Sequence, residues 1–171
     1  MTSAADPLEE LVHELARHGR LLHLLKQRMG AFLPAGLDGA AVGVLMALVR
    51  CGARRQGEIA EVTYLDPSTV SRYVAQLVRA GLASRRADPA DGRAVQLVAT
   101  PAGVALAEEV ATRRQALIGR MIDDWSPDDA RTLLVLLRRL NDDMESRRDG
   151  ADAVTAGTAV TARTATATAP G

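Results

Sequence analysis

The stretch Leu65-Asp66-Pro67-Ser68-Thr69-Val70-Ser71-Arg72-Tyr73-Val74-Ala75-Gln76-Leu77-Val78-Arg79-Ala80-Gly81-Leu82 opens on a helix cap and closes on a helix stop. Asp66 offers a side-chain oxygen to the free amides of a first turn, and Pro67 takes the first helical position, where its missing N–H costs nothing. Gly81 supplies the left-handed stop. Between them Val70, Val74, Leu77 and Val78 recur at three- and four-residue spacing, so one stripe of the helix faces a core. Ser68, Thr69, Arg72, Gln76 and Arg79 fall broadly opposite, with Ser71 at the flank. Short hydroxyls near a helix start suit close approach to phosphates and base edges, while Arg and Gln have the geometry for paired contacts with guanine and adenine.

The flanks of this helix set its context. Upstream, Gln56 to about Val62 forms a short helix separated from it by a turn. Downstream the helical pattern breaks: Leu82-Ala83-Ser84-Arg85-Arg86 and Arg93-Ala94-Val95-Gln96-Leu97-Val98 read as two short strands around the loop Ala87-Asp88-Pro89-Ala90-Asp91-Gly92. A helix, a turn, a second helix and then a hairpin make a winged helix-turn-helix, in which one helix fills a major groove and the hairpin lies alongside.

Three further cap-and-proline pairs, Asp6-Pro7, Thr100-Pro101 and Ser126-Pro127, mark other helix starts. The first predicts a long amphipathic helix ending near Gly30, carrying Leu8, Leu11, Val12, Leu15, Leu22, Leu25 and Met29. A helix from about Gly39 to Arg50 is apolar nearly all round and belongs at the centre of the core. The last two run from Pro101 to about Asp123 and from Pro127 to about Arg148. Beyond Asp149 the chain is Ala, Thr, Gly and Val, with too little large apolar surface to offset its ordering entropy, so residues 149–171 are expected to be a disordered tail.

Composition agrees with a mainly α fold carrying a small β-hairpin wing. Aromatic residues are only 2% of the 171, so the core must come from Leu, Val, Ala and Ile, the material of helix packing. Net charge is zero, but its distribution is uneven. Arg50 to Arg93 holds eight Arg against five acids, whereas residues 101–148 hold eight Arg against nine acids. A polyanion would find its attraction in the middle segment. The lone Cys51 suggests a reducing compartment, the N-terminus shows no signal-peptide pattern and no apolar stretch reaches membrane-spanning length, so a cytoplasmic location is expected.

Gly57-Glu58-Ile59-Ala60-Glu61, Leu65 to Arg72 and Leu77 to Leu82 together resemble the helix-turn-helix of MarR-family regulators. The stretch from Arg85 to Arg93, with Leu97-Val98-Ala99-Thr100-Pro101-Ala102-Gly103, is similar to their wing and following helix. The resemblance implies one unit over residues 7–148: a winged-helix lobe at 39–99 and dimerisation helices at 7–30 and 101–148. The function it implies is that of a ligand-responsive repressor binding double-stranded DNA as a homodimer. Arg93 matches the wing-tip arginine placed at a minor groove and Asp91 the acid that orients it, a combination suited to a narrow groove. Arg85 and Arg86 either pair with Asp88 or Asp91 or touch phosphate, and Arg86 joins the expected DNA contacts. Leucine stripes at both chain ends call for a second subunit. A small lipophilic or phenolic effector is also implied, with Arg17, His18, Phe32 and Trp125 as pocket residues or else ordinary core and surface positions.

One departure concerns the turn, where the family pattern has glycine four residues after the alanine and this chain has Tyr64 after Ala60. A positive φ there is costly for tyrosine. The turn is either of another type or strained, and Tyr64 is read as packing between the two helices. His13, His18 and His23 are five apart and share no helix face, so no metal or cofactor is expected. No nucleophile–base pair or phosphate-binding glycine loop points to an enzyme. Two alternatives remain: a redox sensor using Cys51, and a helical adaptor whose winged-helix surface binds protein.

Overall fold

The computed structural model describes the backbone of residues 6–30 and 32–165, and the side chains of 6–27, 30 and 32–147. In chain order the elements are α1 (Pro7–Gly30), α2 (Gly39–Cys51), β1 (Arg54–Arg55), α3 (Gln56–Thr63), α4 (Pro67–Arg79), β2 (Ala83–Asp88), β3 (Asp91–Ala99), α5 (Pro101–Met121) and α6 (Pro127–Ala165). Six helices and a small antiparallel sheet therefore match the mainly α expectation. All four cap-and-proline pairs begin helices. Thr69 N–H donates to Asp66 Oδ1 at 2.8 Å, Gly103 N–H to Thr100 Oγ1 at 3.1 Å, Asp129 N–H to Ser126 Oγ at 3.1 Å and Leu8 N–H to Asp6 Oδ1 at 3.0 Å.

The backbone divides into two compact units, residues 1–114 and 115–171. A single unit over 7–148 was expected from the sequence. In the second unit Leu133, Leu134, Val135, Leu136 and Leu137 of α6 are all exposed.

In the first unit α2 is the central element, burying Ala41, Val42, Val44, Leu45, Ala47 and Leu48. Ile59 from α3, Val70, Tyr73, Val74 and Leu77 from α4, Leu82, and Leu97 from β3 join it in one core cluster. Leu45, Ile59 and Leu77 are each fully buried, and each such side chain contributes roughly 1.5–3 kcal/mol relative to exposure. This cluster fixes α4 by its apolar stripe and leaves the opposite stripe outside.

The sheet has three strands in the order β1-β3-β2, one more than the sequence suggests. β1 is only two residues long and exists because Arg54 and Arg55 pair with Leu97 and Gln96. The wing strands are also longer than expected, which shrinks the loop to Pro89 and Ala90. β2 and β3 pair regularly from Ala83↔Ala99 to Ala87↔Val95, and the next pair is Asp88↔Asp91. One step on β2 thus spans four on β3, and Gly92, Arg93 and Ala94 bulge out of the ladder.

The Ala/Thr-rich segment also departs from expectation, since the helical backbone of α6 runs on to Ala165 instead of ending near Arg148. Alanine is the best helix former, and no proline interrupts the segment before Pro170. Residues 166–171, the last of the expected disordered tail, lie outside the described residues.

Candidate nucleic-acid interface

The helix-turn-helix is built from two helices that end in the same way. At the end of α4, Leu82 N–H bonds to Leu77 O at 2.9 Å and Gly81 N–H to Val78 O at 3.0 Å, with Gly81 at φ 70°. At the end of α3, Leu65 N–H bonds to Ala60 O at 3.2 Å and Tyr64 N–H to Glu61 O at 3.3 Å. Both are Schellman stops, which place one residue in the left-handed region. In the second stop that residue is Tyr64, at φ 56° and ψ 32°. The residue is 54% exposed, so it is not buried between the helices. Chain reversal between α3 and α4 sets the angle, and tyrosine bears the cost that glycine would avoid.

Asp66 then starts α4. Its carboxylate accepts the Ser68 hydroxyl at 2.5 Å as well as the Thr69 amide. These bonds, that from Ser68 foremost, hold the carboxyl well below the ordinary carboxylate range. Ser68 is exposed but its hydroxyl proton is turned to its own cap, while Thr69 is half-buried. Ser71 and Arg72 are exposed. The Arg72 guanidinium rests over the Tyr73 ring, 5.0 Å from its centroid, and Nη2 donates to the Tyr73 hydroxyl at 3.3 Å. Such an exposed cation–π contact is worth about 0.5–1 kcal/mol, so the arm swings free at small cost.

Gln76 is placed differently from its neighbours. It is half-buried, and its Oε1 accepts the N–H of Asp38, the cap residue of α2, at 3.1 Å. An adenine contact uses that oxygen to accept from N6, and here the oxygen already serves the protein.

In the wing, Arg85, Arg86 and Arg93 are exposed and have no acidic partner among the described residues. The wing acids pair instead with Arg55 of β1, a residue that the sequence reading passed over. Arg55 Nε lies 2.7 Å from Asp88 Oδ2 and Nη2 lies 3.5 Å from Asp91 Oδ2. Asp88 is only 5% exposed. Its other oxygen accepts the Ala90 amide at 2.9 Å, and this bond and then Arg55 hold its carboxyl below the ordinary range against the effect of burial. Asp88 in turn holds the Arg55 pKa above that of a free guanidinium. Asp91 Oδ1 accepts the backbone N–H of Arg93 at 3.1 Å. The acid expected to orient the Arg93 guanidinium thus fixes the backbone that carries it.

The residues expected to line an effector pocket fall on α1, in the α1–α2 loop and in the turn before α6. Arg17 is exposed on α1 in an ion pair with Glu14, and His18 is exposed on the same helix. Phe32 is exposed in the α1–α2 loop with the Arg113 guanidinium 4.7 Å from its ring centroid. Trp125, in the turn before α6, belongs to the second unit. Cys51 is half-buried at the end of α2. Among the described residues no group of three or more His, Cys, Asp or Glu is placed to hold a metal ion, and no helix is long and apolar enough to cross a membrane.

A capped helix with an exposed polar stripe, set beside a hairpin with three arginines that no acid engages among the described residues, defines a winged-helix DNA-binding protein. Comparison with known proteins gives the family. The model of the MarR family matches residues 35–94, which span the helix-turn-helix and most of the wing. The chain is 30% identical over 139 residues to the uncharacterized HTH-type transcriptional regulator YxaD of Bacillus subtilis, covering 80% of this chain and 94% of that one. A MarR family protein of Bacillus stearothermophilus superposes with a TM-score of 0.65 at 24% identity, over 82% of this chain and 99% of that chain. The PcaV transcriptional regulator of Streptomyces coelicolor, solved in complex with its natural ligand, gives 0.62 at 27% identity over 81% and 97%. This chain belongs to the MarR family and is a winged-helix transcriptional regulator.

Proposed function

We propose that the chain is a homodimeric repressor that occupies a palindromic operator. In each half-site α4 enters the major groove with Arg72 and Ser71 toward the base edges, and Arg93 reaches the neighbouring minor groove. The observation that carries this reading is the exposed arginine set of α4 and the wing, Arg72, Arg79, Arg85, Arg86 and Arg93, none of them engaged by an acid among the described residues. Cations left unneutralised by the protein are available to phosphate, and releasing the counterions of DNA then drives binding.

The dimer is argued from exposed leucines. Leu8, Leu11, Val12 and Leu15 on α1 and Leu133, Leu134 and Leu137 on α6 all stand open to solvent, and apolar stripes of that extent mark an interface. Two-fold symmetry places the recognition helices about 34 Å apart, one turn of DNA, and makes the operator a palindrome. An effector of small lipophilic or phenolic character acts by favouring one arrangement of the assembly over another. The support for an effector is that the Streptomyces regulator similar to this chain was solved with its natural ligand.

Selection of bound duplexes from a random pool, followed by titration across salt, tests the reading. The expected outcome is a palindrome bound at least about 10³-fold tighter than random duplex, with log affinity falling linearly in log salt. Equal affinity for all sequences, or a monomer in analytical ultracentrifugation at the binding concentration, would refute it.

A further inference from the structure

Arg93 does not sit at a turn held by the sheet. Regular pairing ends at Ala87↔Val95, and Arg93 is the middle residue of the three that bulge from β3 before Asp88↔Asp91. Bulged residues have lost their ladder bonds, so the hairpin alone leaves the direction of this segment loosely set. Yet the segment is tied, residue by residue, to the far edge of the sheet. Arg93 N–H is held by Asp91 Oδ1, Asp91 Oδ2 faces Arg55 Nη2, and Arg55 Nε holds the buried Asp88 on the opposite strand. Arg55 itself is fixed at both ends of the backbone relay: its N–H donates to Glu58 Oε2 at 2.7 Å at the start of α3, and it pairs with Gln96 of β3.

We propose that Arg55 is the positioning residue of the wing. It takes no part in the contact with DNA, but clamps Asp88 and Asp91, one from each strand, and through Asp91 sets where the Arg93 backbone stands relative to α3 and α4. The inference rests on the DNA-binding reading above. A planar guanidinium suits the task because its fork reaches two carboxylates at once from fixed directions. β1, too short to add much sheet stability, has the use of delivering this one side chain.

The test is a double-mutant cycle between Arg55→Met and Arg93→Ala, read as affinity for a duplex recovered by selection. Arg55→Met keeps the apolar stem and removes the fork. If Arg55 acts through Arg93, each single variant weakens binding by on the order of tenfold, and the double variant is little weaker than either, as expected for residues in one network. Multiplicative losses would overturn the proposal. Arg55→Met leaves Asp88 buried without its cation, so folding is checked by thermal melting, and Asp91→Asn serves as the second variant because Asp91 is half-exposed. Arg55→Lys is expected to melt near the parent yet still lose the coupling to Arg93, since one ammonium cannot hold both acids. Amide hydrogen exchange in the DNA-free protein separates the two readings: Arg93 N–H exchanges faster in Arg55→Met and Asp91→Asn even if the chain binds no duplex at all. Unchanged exchange at Arg93 in both variants would sink the proposal while leaving the DNA-binding reading intact.

Discussion

Gln76, on α4, gives its side-chain oxygen to the backbone N–H of Asp38 at 3.1 Å. The bond ties the last turn of α4 to the start of α2, where Asp38 caps the helix by accepting Ala40 N–H. A residue type suited to reading adenine is thus used to hold α4 in place. Gln76→Ala is expected to lower unfolding free energy by about 1 kcal/mol, the net worth of one such bond, while leaving the operator ranking largely intact. Denaturant melts and competition binding measure the two effects. A large shift in base preference at one position, with stability unchanged, would restore Gln76 as a base reader.

Arg72 is an exposed arginine of α4 that, like Arg79, no acid holds among the described residues. Replacing it by Ala should cost about 1–3 kcal/mol of operator binding and relax preference at one base pair per half-site. Protein stability should fall far less, since what is lost is the exposed contact with the Tyr73 ring and the bond to its hydroxyl. Equal losses on selected and random duplex would mean that Arg72 touches phosphate alone.

Tyr64 bears a backbone angle that glycine adopts freely. Tyr64→Gly is expected to raise stability by up to about 1 kcal/mol, less whatever contact of the tyrosine is lost. Tyr64→Val should lower it, because a β-branched residue fits the left-handed region worst. Chemical denaturation of the pair decides, and a Gly variant no more stable than the Val variant would show the turn to be unstrained.

Gly103 is required by packing. A Cβ there would overlap the Leu82 carbonyl oxygen, with the carbonyl carbon 3.0 Å and Leu45 Cδ1 3.2 Å away. The obstruction is backbone, so it cannot rotate aside. Gly103→Ala should therefore destabilise the protein by about 1–3 kcal/mol, the range for overpacking. Thermal melting checks this, and an unchanged midpoint would show that the first turn of α5 is free to shift.

Asp66 gives a pH dependence whose sign follows from its cap bonds. Its folded pKa lies below the unfolded value of about 3.9. The associated stability is fully present above that unfolded value and is lost as pH falls below it toward the folded pKa. Asp66→Asn keeps an oxygen for Thr69 N–H and removes the titration, so its stability should vary less between neutral and acid pH than that of the parent. Parallel curves for both proteins from neutral pH to below pH 4 would contradict the assignment.

Local signals wrote most of the fold into the sequence. Asp6-Pro7, Asp66-Pro67, Thr100-Pro101 and Ser126-Pro127 each begin a helix where a cap and a missing N–H say one should, and the stripe of Val70, Val74 and Leu77 faces the core as its spacing requires. The positive φ at Tyr64 was legible as a conflict between residue type and position. What stayed hidden was non-local. Two residues at 54 and 55 carry no strand pattern of their own, and only β3 makes them a strand. Arg55 meets Asp88 across thirty-three positions, so spacing pointed instead to the nearer Arg85 and Arg86. Gln76 looked free because its partner, Asp38, lies on another element. The end of α6 was unreadable for another reason, because alanine neither demands a helix nor stops one.

The hairpin is hinged where Thr100 N–H meets Leu82 O and Gly103 presses on the same carbonyl. From there β2 extends six residues, an arm of roughly 20 Å at about 3.3 Å per residue. On a lever of that length, slack of about 3° at the pivot displaces the far end by roughly 1 Å, enough to spoil a hydrogen bond that tolerates only a few tenths. The absence of a side chain at residue 103 is a matter of tolerance in the engineering sense: it seats the joint without play, so that an arginine far from it arrives on target.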